Sequence, residues 1–414
     1  MPVTFTDFLE QISHNLDAHD GPRLAYLLRV TGSHVKDLLR EFKNPTLQGL
    51  SRYQGAIESP WDEIAIRYVL IAHHIAKGRP SEAFKEHTIF INLFYRFLAT
   101  TSGWTLPALF AILRDLKDLA FDVNTLPTRP LADNETQSMA CTEEAARIAS
   151  KALTTCITDR ASQPAESRRW GVYYVTGLIM KLYFRVKRIS LSKNILRAID
   201  ANPDIPPLSQ YPRSHQVTYR YYIGMLDFLN GNLAKAEEEL IFAYYNCHLQ
   251  VRRNQERILI YLVPLRMLRG HLPSPDLLGR FPDLDRLYSP FVAAVRKGDI
   301  KAFDAALDRA ERKLLELNVL LALEKSRELC LRGVFRRAWI SSSKGNRMPI
   351  RVFHAALVVS GMELPVEEVE CLLANQIYKG FMKGYISHEK QMVVLSNVNA
   401  FPKLTERANP FATL

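Results

Sequence analysis

The sequence predicts an all-α protein: a right-handed α-solenoid of helix pairs ending in a winged helix with a small β-hairpin wing. Three observations carry that prediction. Residues 216–247 hold two helical patterns joined by a Gly231-Asn232 turn. Residues 349–395 read helix, Gly361-Met362 break, helix and short hairpin, the order of a winged helix. Between them, Leu329 through Met362 contains no acidic residue and six cations: Arg332, Arg336, Arg337, Lys344, Arg347 and Arg351.

Composition sets the outer bounds. The 414 residues suffice for two or three domains with real cores, and 47% hydrophobic with 23% charged residues is ordinary for a globular chain. The expected division is 1–165 and 166–335 as helical repeats, 336–400 as the winged helix and 401–414 as a tail. A formal net charge of +11 suggests a polyanionic partner, nucleic acid or acidic protein, though a solvated basic surface would give the same balance. The five cysteines are scattered with no Cys-x-x-Cys pair, which argues against a zinc ribbon or redox dithiol and fits a reducing compartment. The Met-Pro-Val-Thr-Phe-Thr-Asp start has no signal-peptide character, and the uncharged run between Arg96 and Arg114 is broken by Gly103 and Pro107. Nucleus or cytoplasm is the expected location.

Taken in order, residues 4–17 form a helix that Thr4 or Thr6 can cap, with Phe5, Phe8, Leu9, Ile12 and Leu16 on one face. Gly32, Asn44, Pro45 and Gly55 break up residues 31–58. The next helix has Ser59 as its expected N-cap and Pro60 as its first residue. Asp62 and Glu63 lie in its first turn, where the helix dipole favours anions. Gly78-Arg79-Pro80 ends it. Helices then cover 81–98 and the stretch from Pro107 to about Asp122. Pro127, Pro130, Asp133 and Asn134 mark 124–135 as a linker or loop. Further helices are expected at 141–159, 170–186 and 191–199, before Pro203, Pro206 and Pro207 break the chain.

In residues 216–247, Tyr222, Gly224 and Phe228 belong to the first helix and Ala236, Leu240, Ala243, Tyr244 and Cys247 to the second. Small residues at this spacing let two helices approach closely. The pattern resembles a tetratricopeptide helix pair, which needs stacked neighbours to bury its apolar face. Residues 253–268 supply the next helix, with Pro264 inside it. Gly298-Asp299-Ile300 repeats the turn-and-start signal, and a long helix to about Arg337 leads to the winged helix. There, 349–360 and 364–378 are helical and 383–395 form the hairpin. One further short strand is expected near Met348.

No catalytic or metal-binding motif emerges. Lys344-Gly345 lacks the glycine before it and the hydroxyl after it that a phosphate-cradling loop needs. There is no His-Glu-x-x-His or His-x-His pair for zinc, and Ser341-Ser342-Ser343 has no nucleophile elbow. Tyr173-Tyr174 and Tyr244-Tyr245 read as core aromatics. The expectation is a non-enzymatic protein with no catalytic residue, metal or cofactor.

The charged clusters point to binding. Arg252, Arg253 and Arg257 open one helix, with Arg266 and Arg269 further along; Arg253 and Arg257 share a face. They suit an acidic peptide held by guanidinium–carboxylate pairs, or a solvated helix face. Arg336, Arg337, Lys344, Arg347 and Arg351, with Lys383 and Lys390 in the wing, suit phosphates bound with salt sensitivity and little sequence preference. The second winged-helix helix opens Val366-Glu367-Glu368-Val369-Glu370, and glutamates there repel phosphate, so it is not expected to read a major groove. The winged helix is expected to dock a partner protein through Tyr385, Ile386, Val393, Val394 and Leu395, with the last three exposed on an unpaired module.

Residues 373–380 followed by 383–388 closely resemble the end of a PCI domain, the domain of proteasome-lid, signalosome and translation-initiation-factor subunits. Residues 193–200, 218–224 and 257–264 match as well, and the resemblance is specific from about Trp170 to Pro402. Within the family the chain resembles the branch holding Thp-one, PCI domain-containing protein two and signalosome subunit twelve. The resemblance implies a non-enzymatic subunit that pairs through its winged helix with a PCI protein of the Sac/leukocyte-receptor-cluster type. It also implies a small acidic Dss/Sem-type protein along the helical repeats, and a surface that binds RNA or DNA and couples transcription to mRNA processing and export. On that implication Arg252, Arg253 and Arg257 meet the acidic chain, while Lys344, Arg347 and Arg351 meet nucleic acid. A signalosome-associated subunit with no nucleic-acid role is the other implied reading.

Overall fold

The computed structural model describes residues 3–123, 131–407 and 410–411, with 131–138 described by backbone alone. These residues are helical apart from short turns, loops and a three-stranded sheet near the C-terminus, giving an all-α solenoid class that ends in a winged helix. Contacts divide the chain into two compact units, Met1–Tyr222 and Ile223–Leu414.

The first unit opens with α1 (Phe5–Asp17). Thr4 caps it and Asp7 closes a capping box, so two orphan backbone N–H groups are satisfied reciprocally. Phe5, Phe8 and Ile12 are fully buried, as their spacing requires. Short helices α2 (Gly21–Leu27), α3 (Val35–Glu41) and α4 (Leu47–Leu50) follow. The next helix, α5 (Trp61–Ala76), has Pro60 rather than Ser59 at its cap, with no side-chain cap bond. Burial of Trp61 against Phe94 and Phe97 sets its start instead. It packs on α6 (Pro80–Thr100), which packs on α7 (Leu106–Asp122).

Part of the linker expected at 124–135, residues 124–130, lies outside the described residues. The remainder is not a loop: α8 (Leu131–Ile157) begins directly after Pro130. Asp133 and Asn134 fall in its first turn, where short polar residues are tolerated. The unit continues through α9 (Val172–Arg185) and α10 (Ser192–Asp200) into α11 (Arg213–Leu229), within which the division between units falls.

In the second unit, α12 (Leu233–Asn246) lies against the end of α11 because Gly224 leaves room for Leu240. A Cβ on Gly224 would stand 2.7 Å from that side chain. Next come α13 (Arg252–Leu268), which continues through Pro264, α14 (Pro275–Gly279), α15 (Pro282–Lys297), α16 (Ile300–Glu316) and α17 (Leu320–Ser341). Gly298 ends α15 in a left-handed conformation (φ 57°) and sits against Gly333 of α17; a Cβ on Gly333 would come within 3.0 Å of its Cα. Asp299 then caps α16 through the Ala302 N–H at 2.9 Å. Asn318, at φ 57°, turns the chain from α16 into α17, which runs past Arg337 to Ser341.

The winged helix comprises β1 (Arg347–Pro349), α18 (Ile350–Val359), α19 (Val366–Tyr378), β2 (Gly384–Ser387) and β3 (Met392–Leu395). Its antiparallel sheet has the order β1-β3-β2, so the strand at Met348 flanks the hairpin. The tail is docked. Phe401 packs on Trp339 with ring centroids 5.4 Å apart, and Arg332 donates to the Pro402 carbonyl at 2.8 Å. Arg407 donates to the Leu268 carbonyl and lies 4.0 Å from the Phe381 ring centre. Residues 401–407 thus strap the winged helix to α13 and α17.

Candidate nucleic-acid and partner-docking surface

Strand register sorts the wing residues into two faces. In an antiparallel sheet, directly opposed residues point the same way and neighbours along a strand alternate. Met348, Val393 and Ile386 form one row, and Arg347, Val394 and Tyr385 form the next. The first row faces inward: Val393 is 0% exposed, Met348 2% and Ile386 half-buried. Leu395, 3% exposed, shares that inner side. The expectation that Val393 and Leu395 offer an exposed docking surface is therefore corrected, and Ile386 also points inward. They lie in the core because β3 is the central strand, flanked by β1, which contacts α18, and by β2, which contacts α19. Tyr385, 64% exposed, and the partly exposed Val394 point outward.

Arg347 stands on this outer face by register, and the other cations flank the sheet. The α17 helix ends in a turn where Ser343 and Lys344 both adopt φ 58°. The Lys344 N–H bonds to the Trp339 carbonyl at 3.1 Å, and the Trp339 indole N–H bonds to the Gly345 carbonyl at 3.0 Å. Exposed Lys344 is thus held by a buttressed turn. The Leu395 N–H bonds to Asn346 O at 2.7 Å and the Ile350 N–H to Gln391 O at 3.0 Å. These bonds place Lys344 and Lys383 toward one end of the sheet, and Arg351 and Lys390 toward the other. Lys344, Arg347, Arg351, Lys383 and Lys390 are all exposed, and none has an ion-pair partner among the described residues.

The rest of the acid-free run divides. Arg332 is half-buried, with desolvation holding its pKa down at about 10. Arg337 is exposed and donates to the Arg296 carbonyl at the end of α15, at 3.4 Å, while Arg336 is exposed on α17.

The upstream arginines separate in the same way. Glu237, 2% exposed, accepts from Arg266 at 3.2 Å and also pairs with Arg269. Those two guanidiniums serve the interior. Arg252, Arg253 and Arg257 are exposed on the first two turns of α13. Cations at a helix N-terminus oppose the macrodipole, and no acidic residue occupies that first turn to offset them. Upstream of them in sequence, Tyr245 is 80% and Leu249 81% exposed, so Tyr245 is not the core aromatic its spacing suggested. It stands one residue from the end of α12.

A PCI domain matches residues 308–397, from within α16 to just past β3. A CSN12 homologue of Schizosaccharomyces pombe is 37% identical, over 84% of this chain and 85% of its own length. One from Mycosarcoma maydis is 35% identical over 96% and 97%. PCI domain-containing protein 2 of Danio rerio is 29% identical over 97% and 98%. The chain belongs to the PCI-domain family, in the group of the CSN12 homologues and PCI domain-containing protein 2.

This PCI-domain scaffold keeps acid where a groove-reading helix would need base. On α19 and in the loop before it, Glu363, Glu367 and Glu368 are exposed; Glu370 pairs with His388 at 2.9 Å and Lys379 with Glu328 at 3.0 Å. Among the described residues no cluster of His, Cys, Asp or Glu could hold a metal ion, and no helix is long and apolar enough to cross a membrane. Cys156, Cys247 and Cys330 are buried and Cys371 is exposed, all as free thiols.

Proposed function

We propose that this chain is a non-enzymatic nuclear scaffold subunit that holds a nucleic acid and two proteins. Its winged helix pairs with a PCI protein of the Sac/leukocyte-receptor-cluster type. Arg252, Arg253 and Arg257 receive a small acidic Dss/Sem-type protein. Arg336, Arg337, Lys344, Arg347, Arg351, Lys383 and Lys390 contact the phosphates of RNA or DNA with little sequence preference, and the assembly couples transcription to mRNA processing and export. Arg337 takes the smaller share, since it also caps α15.

The observation that carries this reading is the set of exposed cations Lys344, Arg347 and Arg351, which have no ion-pair partner among the described residues and lie on a segment with no acidic residue of its own. Phosphates are the counterions such a surface lacks. Reversing Lys344, Arg347 and Arg351 to glutamate should abolish single-stranded RNA binding by the assembled complex. Binding that survives intact moves the assignment to the second reading, a signalosome-associated interaction subunit without a nucleic-acid role, which the CSN12 names of the relatives favour. Affinity purification from a native host separates the two. A Sac-type PCI protein with a Dss/Sem protein supports the first; cullin-deneddylating subunits support the second.

A further inference from the structure

We propose that the outer face of the wing sheet is a stacking platform: Tyr385 takes one unpaired base of a single strand and Arg347 its phosphate. This rests on the nucleic-acid reading above and narrows it to single-stranded nucleic acid. The register places Arg347, Val394 and Tyr385 in one row across three strands. Adjacent strands lie about 4.8 Å apart, so the arginine and tyrosine backbones are about 10 Å apart with an aliphatic floor between them. One nucleotide and the two side chains span that gap. The adjoining outward row is Pro349, Met392 and Ser387, so the strands place no carboxylate on this face; Glu389 lies beyond it, in the β2–β3 turn.

An aromatic ring on a sheet with cations at its margins is the arrangement that stacks splayed bases. Paired bases are already stacked on each other and offer no free face, so a duplex gains nothing from Tyr385. The acidic exposed side of α19 also repels it. A protein segment without carboxylates laid here would bury Arg347 and crowd Lys344 and Lys383 with no counter-charge, which costs desolvation with no return. A phosphodiester chain supplies the charge and the flat apolar ring together.

The test uses the full chain with two fluorescein-labelled probes, a mixed-sequence single-stranded RNA and a duplex of equal length, read by anisotropy. Tyr385→Ala should weaken single-strand binding about tenfold and leave duplex binding unchanged. Tyr385→Leu, which keeps an apolar side chain and the fold, should lose as much, whereas Tyr385→Trp should bind as tightly as the wild type. An RNA carrying 2-aminopurine should be quenched by the wild type and not by Tyr385→Leu. Tyr385→Leu binding and quenching like wild type overturns the platform. If the Lys344, Arg347 and Arg351 reversal abolishes RNA binding in that same assay, the proposed function stands without it. If the reversal also binds normally, the nucleic-acid reading falls too. A Tyr385 defect that appears only in a co-purified assembly, and never in the isolated chain, puts a protein on this face and overturns the inference.

Discussion

Neutralising Lys344, Arg347 and Arg351 together to glutamine gives the sharpest reading of the basic surface, because the expected quantity is a slope. Each phosphate contact on a single strand contributes about 0.7 to the fall of log K with log salt, so three contacts contribute about 2.1. Raising salt from about 50 to about 200 mM should therefore weaken the wild type about twentyfold more than the triple variant. The structure also says what should not change. All three side chains are exposed and none makes an ion pair among the described residues, so folding should stay within about 0.5 kcal/mol of wild type. Anisotropy titrations at four salt concentrations, with thermal unfolding alongside, measure both. Parallel salt plots for the two proteins would show that these cations do not touch phosphate. A lowered unfolding midpoint would show that they serve the fold.

Three further outcomes probe the interior. Removing Arg266 and Arg269 together leaves Glu237 buried without a counter-charge and should cost about 3 kcal/mol in urea unfolding; Glu237→Gln should cost less, since both arginines are partly exposed and can rehydrate. Asp115 is raised by burial to about 6, above its ordinary 3.8, despite the Val30 N–H it accepts. A carboxyl raised on folding stabilises in its protonated form, a contribution present below 3.8 and lost as pH rises through 6. Asp115→Asn should therefore flatten the pH dependence of stability between about 4 and 6 and raise stability at pH 8 by up to about 3 kcal/mol. Arg407→Ala removes the Leu268 carbonyl bond and the stack on Phe381; it should cost about 1–2 kcal/mol and speed hydrogen exchange in the 401–407 strap.

Legibility from sequence followed the range of the physics involved. Local signals held well: the Thr4 cap, the Gly298-Asp299 turn and start, the break at Gly361 and the hairpin after Tyr378 each depend on residues within one or two turns. Helix onset failed where polar residues imitate a loop, as at Asp133 and Asn134. The facing of the wing failed for a different reason. Met392-Val393-Val394-Leu395 has no polar–apolar alternation, so no face can be read from it. Which residues turn inward was decided by pairing with Arg347–Pro349, more than forty positions upstream. Likewise, nothing local tells Arg266 from Arg257. The acid that claims Arg266 lies 29 residues earlier, on a neighbouring helix.

That last distinction bears directly on the candidate site. A cation whose neighbours in the fold include an acid is consumed there: Arg327 lies 2.7 Å from Asp304 and Lys379 3.0 Å from Glu328. The run from Leu329 to Met362 has no acid of its own, yet tertiary packing could have supplied some, and then the basic surface would have been an artefact of reading along the chain. Among the described residues, packing gives this run carbonyl oxygens, to Arg332 and Arg337, and the Phe401 ring beside Arg332, but no carboxylate. Carbonyls satisfy hydrogen bonds without cancelling charge. The positive potential of the run is therefore carried intact to the exposed positions Arg336, Lys344, Arg347 and Arg351, while Glu367, Glu368 and Glu370 of the same module sit on α19. Separating the two signs within so small a domain sustains repulsion among the cations that interspersed carboxylates would have relieved. A polyanion relieves it on binding, and that difference between the unbound and bound surface is the source of the salt-dependent affinity expected above.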